Sequence, residues 1–236
     1  MAVNFGIPFG PTGGPGTFVT GFSFFDDFIG SSYDTTPDAA KWDIAGTTAG
    51  SVPITAVDEP YGVVSLVPEA SGDESVLELN GEPIQMLREQ DAVFEIRMKV
   101  SSIATNTANW FVGISQEALD MESGSAGAFE SNAIGFAAQA DANIDAICGD
   151  GTSETIDDTT SNLVAATYVV LTWKWHAKTK QIRYYVDGVK KVTQSVADGD
   201  TIPAEGTNMT ITLYSEGMNG TGVIIDIDYV LFAQSR

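Results

Sequence analysis

The segment from Tyr168 to Thr193 constrains the fold more than any other. Tyr168 to Trp175 sets Val169, Leu171, Trp173 and Trp175 on one side of an extended chain, and Gln181 to Val186 sets Ile182, Tyr184 and Val186 together. Alternation of period two marks a strand with one buried face. The two runs therefore pair antiparallel and share one heavy apolar side. Asp187 and Gly188, residue types that tolerate positive φ, turn the chain into Val189 to Thr193 and complete a meander.

The same period recurs along the chain. Phe94 to Val100 alternates apolar with charged residues, and Met209, Ile211 and Leu213 alternate with Thr210, Thr212 and Tyr214, which predicts one buried and one wet face for each. Val223 to Phe232 reads as a closing strand with Ile225, Ile227, Tyr229 and Leu231 inward. Asn80-Gly81 and Asn219-Gly220 mark tight turns. Trp110 to Ile114 and Ile134 to Gln139 are strands around a polar loop, residues 115–132, with room for one helical turn over 117–121.

No segment sustains a helical period, so the expected fold is all-β, a two-sheet antiparallel sandwich over residues 22–236. Residues 1–21 hold six glycines and three prolines and read as an extended arm. Phe5, Ile7 and Phe9 give the arm apolar anchors, predicted to lie against a neighbouring subunit or another protein.

The 32 acidic side chains outnumber the 11 basic ones, for a formal net charge of −21. Such a surface repels phosphate backbones and anionic lipid, which argues against nucleic-acid and membrane partners. No apolar run reaches the roughly 18 residues of a membrane span. Six of the eleven cations fall between residues 174 and 191: Lys174, Lys178, Lys180, Arg183, Lys190 and Lys191. This basic hairpin is a candidate docking edge for an acidic face of an identical copy or of another protein, and self-association is expected.

The inventory for catalysis is short. His176 is the only histidine, so neither a histidine triad nor a histidine-rich metal site can be built. Cys148, the only cysteine, has no basic neighbour and reads as a structural thiol. Met1 to Gly21 lacks a basic start and a continuous apolar run, which predicts cytoplasmic synthesis and folding. Asp141, Asn143 and Asp145 resemble part of a calcium loop without its glycine and distal glutamate, which leaves a structural calcium open and predicts no other cofactor. Trp110, Tyr61, Tyr185 and Tyr214 are candidate sugar-stacking platforms, each weighed against plain strand packing.

The order Tyr168-Val169-Val170-Leu171-Thr172-Trp173, Ile182 to Gly188, then Ile225-Asp226-Ile227-Asp228-Tyr229-Val230 resembles the carboxy-terminal half of concanavalin A-like lectin/glucanase (laminin G-like) domains. Phe25-Asp26-Asp27-Phe28 with Trp42 is similar to their opening. The resemblance implies a concanavalin A-like jelly roll. Many glycoside hydrolases of this fold carry two glutamates as E-x-D-x-x-E on one strand, and that pattern is absent here. Asp226 and Asp228 read as solvated carboxylates of an amphipathic strand, so the expectation is no enzyme and no catalytic residue.

A narrower resemblance, through Phe111-Val112-Gly113, the Tyr-Val-Asp-Gly meander and the ending Gln234-Ser235-Arg236, is to tailed-phage structural proteins of this fold. It implies a virion protein made in the host cytoplasm and decorating or cementing a capsid exterior, with the major capsid protein or other virion proteins as partners. A carbohydrate-binding module recognising surface glycans is the alternative, with a diverged glycan hydrolase behind it.

Overall fold

A computed structural model describes residues 22–28, 41–46, 54–55, 62–68, 72–86, 89–101, 108–116, 132–139, 142–217 and 223–235. In chain order the strands are β1 (Phe22–Asp26), β2 (Trp42–Gly46), β3 (Ile54–Thr55), β4 (Val64–Leu66), β5 (Glu74–Leu79), β6 (Ile84–Gln85), β7 (Ala92–Val100) and β8 (Ala108–Ser115). There follow β9 (Asn132–Gln139), β10 (Asn143–Asp150), β11 (Glu154–Asn162), β12 (Val169–His176), β13 (Gln181–Val186), β14 (Val189–Ser195), β15 (Asn208–Gly217) and β16 (Ile225–Gln234). One 3-10 turn, Val196–Asp198, is the helical element among the described residues. The expected arm over 1–21, the turn at Asn219-Gly220 and the helical turn over 117–121 lie outside them.

Two antiparallel sheets face each other. The first runs β14-β13-β12-β7-β16-β4-β3 with β1 on β16, and the second runs β11-β10-β9-β8-β15-β5-β2 with β6 on β15. This is the expected two-sheet jelly-roll sandwich. Between the sheets lie the alternate residues of each strand: Phe94, Ile96 and Met98 of β7, Leu171, Trp173 and Trp175 of β12, and Trp110, Val112 and Ile114 of β8. Trp173 stacks on Phe94 with ring centroids 5.9 Å apart and meets Phe232 edge-on at 6.2 Å. The meander turns as its residue types require, with φ of +49° at Asp187 and +74° at Gly188.

The opening motif is held by one carboxylate. Buried Asp26 accepts hydrogen bonds from Trp42 Nε1 at 2.8 Å, Lys41 Nζ at 3.2 Å and the Phe28 amide at 3.0 Å. Phe24 and Phe28 flank the Trp42 ring at 5.6 and 5.7 Å. A buried carboxylate with these donors is satisfied, so the aspartate and tryptophan act as one structural unit.

Two expectations need correction. In β16, Ile225 and Ile227 point inward as expected, but Tyr229 and Leu231 do not; Val230 and Phe232 take the core positions. The pairing with β7 passes from Ile227↔Met98 to Tyr229↔Arg97, leaving Asp228 as an extra residue. A bulge of one residue exchanges the faces of everything beyond it. In β15 the face expected to be wet is closed as well: Thr210, Thr212 and Tyr214 are buried.

Candidate functional site

Because Trp110, Val112 and Ile114 point between the sheets, Asn109, Phe111, Gly113 and Ser115 point to the outer face of the second sheet. Register then places their neighbours. Gly113 pairs with Gly135 and Thr212, and Phe111 pairs with Ala137 and Tyr214. Further out, Thr212 pairs with Glu78, Glu78 with Asp43, and Ile147 with both Gly135 and Ile156.

The centre of this face is a second apolar cluster of Phe111, Tyr214, Val76, Ala133, Ala137 and Ile147, separate from the main core. The Phe111 ring lies across the two glycines. A Cβ on Gly135 would sit 2.7 Å from that ring and 2.5 Å from the Val112 carbonyl, and one on Gly113 would sit 2.3 Å from the Ile134 carbonyl. Glycine at both positions is therefore required by close approach, and it lets an aromatic ring lie flat on the sheet.

Polar groups ring this cluster. Thr212 Oγ1 shares a 2.6 Å hydrogen bond with Ser115 Oγ and donates to Glu78 Oε1 at 3.3 Å. Tyr214 Oη donates to Glu74 Oε1 at 3.2 Å, and Asn109 Nδ2 donates to Glu216 Oε2 at 2.9 Å. Glu216 is only 2% exposed, and Phe111 and Tyr214 are fully covered. The flanks are open: Asp43 and Asp158 are exposed, and Ile156 is 37% exposed. Burial pushes the Glu78 carboxyl above its ordinary range, the nearby Asp43 and Glu82 charges push the same way, and the Thr212 hydrogen bond opposes them. Among the described residues this face carries Asp43, Glu74, Glu78, Asp145, Glu154, Asp158 and Glu216, with no lysine or arginine.

The opposite outer face, on the first sheet, has a different chemistry. Lys174 and Arg183 are register partners on β12 and β13, Tyr185 pairs with Lys190 of β14, and Lys174 Nζ lies 5.2 Å from the Tyr185 ring centre. Lys178, Lys180, Lys190 and Lys191 are exposed, and Lys180 reaches Glu89 at 3.6 Å. The structure thus gathers Lys174, Arg183 and Lys190 on one surface and leaves Lys178 and Lys180 at the β12–β13 turn. Asp226 and Asp228 are paired rather than merely solvated: Lys99 lies 3.4 Å from Asp226, and Arg97 bonds Asp228.

The proposed stacking platforms fare unevenly. Trp110 is in the main core, Tyr214 is covered in the second cluster, Tyr185 is half-buried on the cationic face, and Tyr61 lies outside the described residues, as do Phe5, Ile7, Phe9 and Asp141. Asn143 and Asp145 fall on β10 opposite Asn162 and Asp158 of β11. Among the described residues no group of three or more ligating side chains is placed to hold a metal ion. Sequence reasoning missed Glu78, Glu216 and the glycine pair; an interior strand glycine two residues from a phenylalanine was the available signal.

No family model matches the chain, and no curated protein matches it by sequence. Solved structures do. An endo-1,3-β-glucanase from Streptomyces sioyaensis is similar over 95% of this chain and 99% of its own, at 13% identity and a TM-score of 0.67. The carbohydrate recognition domain of Emp47p matches over 88% of this chain and 97% of its own, at 10% identity and a TM-score of 0.59. A carbohydrate esterase from the Shiga toxin-encoding bacteriophage phi24B matches over 83% and 91%, at 16% identity and a TM-score of 0.53. The likeness shows the concanavalin A-like fold. The esterase comes from a bacteriophage, and nothing in the likeness bears on capsid decoration.

The expectation that this chain is not an enzyme has to be withdrawn. Endo-glucanases share its fold over nearly their whole length. A missing E-x-D-x-x-E bears only on carboxylates spaced along one strand. Here Glu78 comes from β5 and Glu216 from β15, two paired strands that set both on one face.

Proposed function

We propose that this chain engages a glycan on the outer face of its second sheet. The observation that carries the reading is the make-up of the open flanks of that face, where exposed Asp43 stands beside half-buried Glu78 at one edge and exposed Asp158 beside Ile156 at the other, with no lysine or arginine among the described residues of the face. Sugar hydroxyls donate to carboxylates such as these, while the covered Phe111 and Tyr214 rings fix the strands that carry them. The glycan-acting and glycan-recognising proteins of the same fold support this reading. A face without cations suits a neutral glycan. The test is calorimetric titration of soluble β-1,3-glucan oligosaccharides and a panel of neutral glycans. Binding that weakens at least about tenfold, or ~1.4 kcal/mol, in Glu78→Gln or Asp43→Asn is the expected result; no binding to any neutral glycan would sink the reading.

Hydrolysis is the second reading, favoured by the raised Glu78 carboxyl beside its register partner, the exposed Asp43. A carboxyl that keeps its proton can donate it to a leaving group while a second one faces the sugar. Release of reducing ends, abolished in Glu78→Gln, is its signature. The setting we infer is a virion, which the phage-borne esterase supports; capsid decoration through the Phe5, Ile7 and Phe9 arm is its finer form, checked by mass spectrometry of purified particles.

A further inference from the structure

The bend between β5 and β6, residues 80–83, is exposed at every position. Asn80 extends β5 by one residue, its amide donating to the Lys41 carbonyl at 2.8 Å, and Glu78 stands two residues before it on the same side of the strand. Gly81 follows with a φ of +77° and no atom within 4 Å of where its Cβ would lie. Among the described residues nothing accepts a hydrogen bond from the Gly81 amide, and nothing holds the Asn80 carboxamide. The other Asx-Gly pairs of the described residues differ. Asp150 Oδ1 accepts from the Thr152 and Ser153 amides at 2.9 Å, Asp187 Oδ1 accepts from the Val170 amide at 2.9 Å, and after Asp198 the Gly199 amide donates to the Val196 carbonyl at 3.3 Å. Each of those pairs also carries a carboxylate, which resists nucleophilic attack far more than a carboxamide does.

We propose that Asn80 is a site of spontaneous covalent modification, converted through a succinimide to aspartate and isoaspartate. The Gly81 backbone nitrogen attacks Asn80 Cγ and gives its proton to solvent. The new N–Cγ bond closes the ring as the Cγ–Nδ2 bond breaks and ammonia leaves. Water then adds to one of the two ring carbonyls. Addition at Cγ breaks the new bond and leaves aspartate in an unaltered backbone; addition at the main-chain carbonyl carbon breaks the original peptide bond and leaves the chain running through Cβ and Cγ as isoaspartate. Water is the one co-reactant. Glycine serves this chemistry because no side chain crowds the attacking nitrogen and its backbone freedom lets the bend rotate until that nitrogen meets Cγ.

Either product sets a new carboxylate at the open edge that already holds Asp43, Glu78 and Glu82. Asp43 and Glu82 push the Glu78 carboxyl upward, and a charge at position 80 acts in the same direction. Isoaspartate also lengthens the backbone by one methylene just before β6, which pairs with Asn208 and Met209 of β15. The proposal stands whether or not the second sheet binds a glycan.

Peptide mapping of the full folded chain, aged in mildly alkaline buffer, tests this. Cleavage after lysine and arginine releases residues 42–88, in which Asn80 is the only asparagine, apart from the peptide that carries Asn219-Gly220. Digestion is kept short and mildly acidic so that conversion precedes it. An amide-to-acid mass gain should accumulate in residues 42–88 with time, with isoaspartate among the products as read by methyl transfer from an isoaspartyl methyltransferase, and the gain should be lost in Asn80→Gln. Local opening of an exposed bend costs little, so the folded chain should convert within about tenfold of the rate of the urea-unfolded chain. A peptide that stays unchanged overturns the proposal, as does folding that slows conversion by more than about tenfold. A gain that persists in Asn80→Gln, or aspartate formed without isoaspartate, overturns it equally.

Discussion

Tyr184 and Gln194 meet inside the sandwich, and through them the first sheet is tied to the second. The Tyr184 hydroxyl lies 2.8 Å from Gln194 Oε1 and 2.9 Å from the Ile147 carbonyl. Gln194 Nε2 in turn faces the Ala146 carbonyl at 3.2 Å, the Thr155 carbonyl at 3.3 Å and Asp157 Oδ2 at 3.0 Å. Both side chains are fully buried. Burial raises the Tyr184 phenol well above its ordinary pKa, so it stays a donor at every physiological pH. Such a network fixes how β13 and β14 sit over β10 and β11, because any slip strands several buried polar groups at once.

Removing the hydroxyl tests that. Tyr184→Phe keeps the ring, which meets Phe136 edge-on at 5.4 Å, but leaves buried acceptors without their donor. The expected cost is about 1–3 kcal/mol, read as a lower urea midpoint at an unchanged slope. A midpoint equal to that of the parent chain would mean the contact adds no stability.

The glycine pair under Phe111 makes a second case. In Gly135→Ala the new methyl meets the Val112 carbonyl and the Phe111 ring, and the backbone contact cannot be relieved by a rotamer change. Overpacking of this sort costs about 1–3 kcal/mol. Thermal unfolding should report a lower Tm, whereas alanine at exposed Gly72, which has no atom within 4 Å of its Cβ position but a φ of +79°, should cost through backbone strain alone.

His176 offers a pH readout. Burial lowers its pKa from the ordinary 6.5; the Arg183 and Lys174 charges act in the same direction, against Asp91. Its Nε2 is buried with no hydrogen-bond partner. The folded chain thus takes up this proton less readily than the unfolded one, and the contribution to stability is lost as pH falls below the unfolded value. As the chain holds one histidine, a single imidazole resonance should titrate with a midpoint below 6.5, and Arg183→Gln should move it upward. A midpoint at or above 6.5 would contradict the account.

The meander was legible because local pattern and turn chemistry agree there: Val169, Leu171, Trp173 and Trp175 are buried, and Asp187-Gly188 turns as its residues prefer. The closing strand was half legible. Alternation found Ile225 and Ile227, but the extra residue at Asp228 is set by pairing with β7, and β16 alone holds no sign of it. The carboxylate face was not legible at all. Asp43, Glu78 and Thr212 are far apart in sequence, and only the order β15-β5-β2 sets them side by side.

By itself the sequence determined the strand period, the meander, the two-sheet class and the clustering of cations between residues 174 and 191, because these follow from residues a few positions apart. Tertiary structure decided which faces those strands present, where Asp228 shifts the register, and that Lys174 and Arg183 lie on one sheet while Asp43 and Glu78 lie on the other. The reason is that a strand's own pattern separates its two faces without saying what covers either one. That is settled by long-range pairing and by the layer packed against it.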